Sequence, residues 1–444
     1  MLGDRRLQAY MRAGWWLLLA SCCACSGDDD STAPNGTAAS AARPDGGGRS
    51  GSAAGSGAQG GSGGSGGRRP AGSGNGGRDS GTVDPGGAGG THAVGAGGNA
   101  HGGAGGMSGS AGRAGTGGSG AGAGSSTLPA PPGASDKPAP SGAGAPNLRV
   151  LPWAGFKAAA SYTFDDSQPS HVAHFDAIKA TGVPVTWYLN TSNNWIGGYG
   201  DAWKEALAAG HELGNHTVHH CNFDLSGCNG ALATIDAEID ECSAYIVDTL
   251  DGPPVVTMAY PFGDGGYTAK ARERFLLARG TGGGMIAFTG DSDPFNLPTV
   301  AANGGEAAGV FNGAIDDARS QGQWVTFLFH SLLPTGDNWY AGVEIASVTG
   351  SIEHAKSQGD VWVDSVSSVG AYWLGGRAVA AATASPVGSG MMWSWDLPAH
   401  YPGGRFVRVT IAGGELRQDG ELLPWNGHGY YEVALDIGTL AWSP

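Results

Sequence analysis

The chain has 444 residues and nowhere among them a run of 18 or more apolar ones. No segment therefore reads as a helix that spans a bilayer. Cationic residues are few and scattered, 24 Lys and Arg against 39 Asp and Glu, giving a net charge of −15. An acidic chain without a Lys/Arg block is a poor nucleic-acid binder, because phosphate binding needs cations that release counterions. Between residue 27 and about residue 147 large apolar side chains are almost missing. Of the 83 glycines, 43 lie before residue 148. Such a segment cannot bury enough surface to offset chain entropy. Its glycines do not recur at every third position, which excludes a collagen helix. Packed structure is left to residues 148–444, enough for one large domain and a small companion.

The N-terminal residues read as an address. Arg5, Arg6 and Arg12 form a positive region, followed by the apolar stretch Ala13 to Ala20. This is the pattern of a secretory signal peptide over residues 1–22. It ends in Leu19-Ala20-Ser21-Cys22, which resembles the bacterial lipobox. The resemblance implies acylation of Cys22, hence a lipid anchor in the bacterial cell envelope. Cys23 follows instead of Asp, which points to the outer membrane. Residues 23–147 then read as a disordered tether, with an r.m.s. span of about 60 Å for some 125 residues.

From Leu148 the composition becomes that of a globular domain, read as residues 148–381. Residues 150–166 end in Thr163-Phe164-Asp165-Asp166 and read as an entering strand. Residues 183–190 are a second strand, rich in β-branched and aromatic side chains. Residues 255–263 and 324–330 are further apolar runs that end in polar residues or glycine. Helical patterns lie between them. In one, Ile235, Ile239, Cys242, Ile246 and Leu250 recur at helical spacing. Strands alternating with helices predict a parallel α/β sheet or barrel, in which chemistry collects at the C-terminal strand ends.

Three imidazoles stand out. In His216-Thr217-Val218-His219-His220 the first and last are four apart, and on a helical turn they would share a face. His219 is an alternative partner for His216. Asp165 and Asp166, in an extended segment, would face opposite ways, one toward a metal and one toward another part of the site. A carboxylate oxygen with two neutral imidazoles leaves an open coordination position, the pattern of catalytic zinc. His330 ends the last apolar run.

Together TFDD (163–166), GHELGNHTVHH (210–220), AYPFG (259–263) and FLFH (327–330) resemble the polysaccharide deacetylase family, carbohydrate esterase family 4. The resemblance spans roughly Phe156 to Tyr372. It implies a distorted (β/α) barrel, a divalent metal, most simply Zn2+, and hydrolysis of acetyl groups on an N-acetylated polysaccharide such as a chitin-, peptidoglycan- or poly-N-acetylglucosamine-like polymer. It further implies that Asp165 is the general base, that Asp166, His216 and His220 are the metal ligands, and that His330 is the general acid. The backbone N–H of Phe262 would help hold the oxyanion. Two other readings stand beside it: an esterase of O-acetylated xylan-type glycans, and a surface glycan-binding lipoprotein without turnover. A monomer is expected.

One departure from the family pattern matters. Its third motif often carries an Arg two residues before the Pro, where this chain has Ala259. Arg279 is the candidate replacement, a fixed cation that would hold Asp165 ionised. Phe262 stands where Tyr is more usual. Among Cys221, Cys228 and Cys242, disulfide pairing of Cys221 with Cys228 or with Cys242 is open, and Cys242 on an apolar helix face reads as a buried thiol. Residues 382–444 alternate with a period of two, and Asp419-Gly420 signals a hairpin, so a small antiparallel β unit is expected. Its Trp393, Trp395 and Trp425 either pack it against the barrel or bind glycan.

Overall fold

The computed structural model describes residues 128–444, apart from residues 143, 193–195, 335–336 and 338–339. The signal sequence, Cys22 and most of the expected tether lie outside the described residues. Strand β1 (Arg149–Val150) precedes a curled nine-stranded sheet. That sheet consists of β2 (Ala158–Asp165), β3 (Thr186–Leu189), β4 (Glu212–Asn215), β5 (Thr257–Ala259), β6 (Leu277–Arg279), β7 (Ile286–Ala287), β8 (Val300–Ala301), β9 (Gln323–Phe329) and, beyond the short pair β10 (Leu332–Leu333) and β11 (Val343–Glu344), β12 (Val361–Val363). Its main path runs β6-β5-β4-β3-β2-β9-β7. Every pairing is parallel except β7 with β9. A bridge between Arg279 and Leu297 ties the β6 edge to the segment leading into β8, which pairs with β9. The sheet thus curls into a distorted barrel.

Side-chain parity explains which residues reach the concave side. In β2, Ala158, Ala160, Tyr162 and Phe164 join the apolar layer beneath the outer helices. Ser161, Thr163 and Asp165 take the other face, and all eight strand residues are buried. Trp187 and Leu189 of β3, Leu213 of β4, and Val325, Phe327 and Phe329 of β9 join that same layer. Their alternates Tyr188, Gly214 and Thr326 therefore face inward, as a period of two requires. Continued past the strand ends, the inward parity reaches His216 and His330. The helix Ile235–Ala244 forms as its apolar spacing predicts, capped by Thr234 Oγ1, which accepts from Ala237 N at 3.1 Å.

Gly214 is required by contact. A Cβ there would meet the Tyr188 ring at 2.5 Å, so only glycine lets that ring lie flat across the barrel interior. The opposite end of the barrel is closed by the helix Val366–Ala380, whose first residues bind inward: Val366 N donates to Thr186 Oγ1 and Ser367 N to Glu212 Oε2.

The C-terminal unit is antiparallel, as expected. It comprises β13 (Thr383–Val387), β14 (Gly390–Ser394), β15 (Phe406–Thr410), β16 (Glu415–Gln418), β17 (Glu421–Leu422), β18 (Tyr431–Ala434) and β19 (Thr439–Ser443). Gln418 pairs with Glu421 across the two-residue turn Asp419-Gly420, both at positive φ. The unit is not separate from the barrel. β1 pairs with β15, and one apolar cluster joins Trp324, Trp362 and Trp373 to Val407, Val409 and Val433. Trp393 and Trp395 are buried in that cluster, and Trp425 packs on it half-buried.

Packing also begins earlier than a tether reaching residue 147 would allow. Leu128 packs on the same cluster, and Lys137 N donates to Gly427 O at 2.9 Å. Trp425 Nε1 donates to Lys137 O, and Arg408 Nη2 to Leu128 O. The approach is close enough that a Cβ at Gly427 would lie 2.1 Å from Ser135 O. Residues 128–142 are an extended strap along the C-terminal sheets, held by backbone bonds instead of a core of their own.

Candidate active site

Five strand ends meet at one mouth. β2 delivers Asp165 as its last residue, and Asp166 turns away at φ 75°. The two carboxylates therefore do not face opposite ways. His216 Nε2 lies 3.2 Å from Asp166 Oδ1 and 3.8 Å from Asp165 Oδ2. β4 delivers His216, whose Nδ1 donates to Ala259 O at 2.9 Å. That bond places a proton on Nδ1 and aims Nε2 at the carboxylates.

His220 arrives by a route that spacing alone does not reveal. Residues 216–220 are not helical; Thr217 and His220 both take left-handed backbone, φ 63° and 53°. The loop so formed brings the His220 ring within 4.6 Å of the His216 ring and its Nε2 to 3.4 Å from Asp166 Oδ1. His219 points elsewhere, to Glu238. One ligand atom each from Asp166, His216 and His220 falls within 4.8 Å of the others. Two imidazole nitrogens and one carboxylate oxygen, with the His216 ring held from behind, fit a divalent transition metal such as zinc.

Electrostatics agree with this arrangement. Burial opposes charge on Asp166, but the hydrogen bond with His216 and the surrounding imidazoles hold its carboxyl well below the usual carboxylate range. Burial also opposes protonation of His216, yet Asp165 and Asp166 outweigh it and raise its pKa. Burial, and then the neighbouring His216, push His220 down to about 4. His330 is lowered as well, mainly by burial. Its Nε2 faces Asp166 Oδ2 at 3.9 Å.

The missing motif Arg is supplied by the neighbouring strand. Ala259 of β5 pairs in register with Arg279 of β6. The Arg279 guanidinium forms an ion pair with Asp165, with side chains 1% and 4% exposed. It also lies 4.8 Å from the centre of the Tyr188 ring, the ring that Gly214 admits. Phe262 sits at φ 56° in the turn after β5, with its ring 54% exposed and 4.4 Å from the His220 ring. Across the mouth, the exposed ring of Tyr340 packs edge-on against His330 at 5.0 Å.

Several supporting groups escaped the sequence reading. His171 Nε2 donates to His330 O at 2.7 Å. Asn215 Oδ1 accepts from Thr217 N at 2.9 Å, bracing the left-handed turn. Glu238 binds His219. In sequence Glu238 reads as an ordinary first-turn acid behind the Thr234 cap, the one signal available. Cys221 and Cys228 form a disulfide directly after His220, and Cys242 is a buried free thiol.

Residues 156–276 match the model of the family described as polysaccharide deacetylase. A gellan lyase from Bacillus sp. is 28% identical over 217 residues, 44% of this chain but only 8% of the length of that relative. Among solved structures, a Xyl-CE4 domain of a multidomain xylanase from the hindgut metagenome of Trinervitermes trinervoides has a TM-score of 0.34 at 17% identity. That comparison covers 48% of this chain and 89% of the other. A polysaccharide deacetylase from Bacillus cereus has a TM-score of 0.33 at 18% identity, covering 47% and 91%. The stretch that supplies Asp165, Asp166, His216, His220 and Phe262 is the stretch that matches the polysaccharide deacetylase family model.

Proposed function

We propose that this chain hydrolyses acetyl groups from an N-acetylated polysaccharide, using a divalent metal, most simply zinc, held by Asp166, His216 and His220. The observation that carries the reading is the convergence of that ligand set with an ion-paired carboxylate, Asp165, and a free-standing imidazole, His330, at one mouth. When bound, the metal supplies polarisation of the acetyl carbonyl and a more acidic water. Asp165, ion-paired with Arg279, takes a proton from the attacking water. The Phe262 backbone N–H donates to the developing oxyanion. His330 delivers a proton to the leaving nitrogen as the C–N bond breaks; each such acid or base is typically worth about 10²–10⁴ in rate. The exposed Phe262 and Tyr340 rings flank the mouth and offer apolar faces to a sugar ring.

Acetate release from defined N-acetylated oligosaccharides, with and without a chelator, tests the reading. Release from O-acetylated xylan-type oligosaccharides alone would shift it to an esterase. No release from either, with metal bound, would leave a glycan-binding role. Placement in the bacterial cell envelope, probed by membrane fractionation, rests on acylation of Cys22.

A further inference from the structure

We infer that Glu238 is the positioning residue of the metal centre: its carboxylate holds the loop that places His220. The inference rests on the metal-site reading above.

The ligand loop is one that a chain does not adopt by preference. Thr217 and His220 are both β-substituted residues in left-handed backbone. Such conformations persist only where the surroundings over-determine them. Asn215 Oδ1 accepts from Thr217 N at 2.9 Å and Thr217 Oγ1 from His220 N at 3.0 Å, and the residue between them and the outer helix, His219, is held by one side chain. Glu238 is fully buried on the first turn of the helix Ile235–Ala244. Its Oε2 accepts from His219 N at 2.7 Å, and its Oε1 accepts from His219 Nδ1 at 2.8 Å and from Leu232 N at 2.8 Å. Its backbone O accepts from Val218 N at 3.0 Å. The residue before His220 is thus held at both its backbone and its ring, and the residue before that at its backbone. The next residue, Cys221, is fixed by the disulfide and by Tyr267 OH, which donates to Cys221 O at 2.7 Å.

This arrangement explains the third histidine. His219 does not reach toward Asp166; it is the handle by which a buried carboxylate grips the loop from behind. Without that grip the bonds from Asn215, Thr191, Ser192 and Thr217 Oγ1 remain, but the loop loses its tie to the outer helix and His220 Nε2 loses its fixed place opposite Asp166. His216 would stay, since it is held by β4 and by Ala259 O. The effect on the metal should therefore be that of weakening one ligand of three.

The test is the zinc affinity of the full chain, read by competition with a chromophoric chelator, independent of turnover. Glu238→Gln keeps the shape but places an amide where both oxygens now accept. Zinc should bind about 10–100-fold more weakly, the range for losing such an outer contact. His219→Gln, which keeps the backbone bond but loses the ring, should weaken binding in the same direction. A merely structural role would lower the thermal midpoint of the metal-free chain and leave the affinity of the folded fraction within about threefold of the parent; that result would overturn the inference. If Glu238→Gln does not fold, unaltered affinity in His219→Gln overturns it equally. A parent chain that binds no divalent metal would sink the metal-site reading itself, and the clamp with it.

Discussion

The pair formed by Arg279 and Asp165 gives the sharpest test of how this site departs from the polysaccharide deacetylase pattern. Both groups are essentially out of water, with side chains 1% and 4% exposed. Breaking such a pair from one side leaves a buried charge without its partner, which costs about 3–5 kcal/mol. Arg279→Met should therefore destabilise the metal-free chain by about that amount, and Asp165→Asn by a similar one. Replacing both removes both charges, so the double variant should cost no more than either single. Denaturant unfolding of the four chains, with metal chelated, measures the cycle. Costs that simply add would refute the pairing as a source of stability. Turnover supplies the second half of the test. Without the guanidinium Asp165 loses the partner that orients it, so kcat/KM in Arg279→Met should fall while bound metal is retained. Arg279→Lys should rescue only in part, because a point charge lacks the planar fork that also lies on Tyr188. Full turnover in Arg279→Met would show that the ion pair serves the fold and not the position of Asp165.

Removing a ligand by Asp166→Ala or His220→Ala should abolish stoichiometric zinc, measured by elemental analysis of the folded protein, together with acetate release. Asp165→Asn should keep its zinc and lose turnover by orders of magnitude; near-normal turnover would remove Asp165 as the base. His171 and His211 are buried and held neutral, both pushed down to about 4 mainly by burial. Below about 6.5 the unfolded chain takes up protons that the folded one refuses, so stability should fall as pH drops from about 6.5 toward 4 and be unaffected by these groups above it. His211→Phe should flatten that slope in pH-dependent denaturation; an unchanged slope would absolve His211. Cys22→Ser should move the protein from membrane to soluble fractions, since acyl burial contributes about 0.8 kcal/mol per CH₂.

The strands and their inward-facing ends were readable because a buried strand records its parity directly. Alternate large apolar residues such as Tyr162 and Phe164, or Phe327 and Phe329, leave the intervening positions, and the strand termini, to the polar groups of the site. What spacing could not reveal was anything decided by the backbone after a strand stops. His216 and His220 look like a helical pair, yet they meet through two left-handed residues that no propensity favours. The Asp165 and Asp166 pair looks like an alternating one until Asp166 turns at positive φ. Arg279 could be proposed by elimination, but its place beside Ala259 depends on the register of two parallel strands 20 residues apart. The strap was missed for a different reason. Composition measures the capacity to form a core, and residues 128–142 need none, because they lean on the C-terminal unit, where Gly413 and Gly427 in the turns between strands leave room for a second backbone.

The strap lies at the opposite end of β2 from the site. It is fastened beside Trp362 and Arg408, where β2 begins, whereas the carboxylates stand where β2 ends. Eight residues of extended chain separate the two levels by about 23 Å. The strap thus fastens to the domain at the level opposite the carboxylates, and loosening it would begin at Leu128, at that level, before any strand that carries Asp165 or His216 is disturbed.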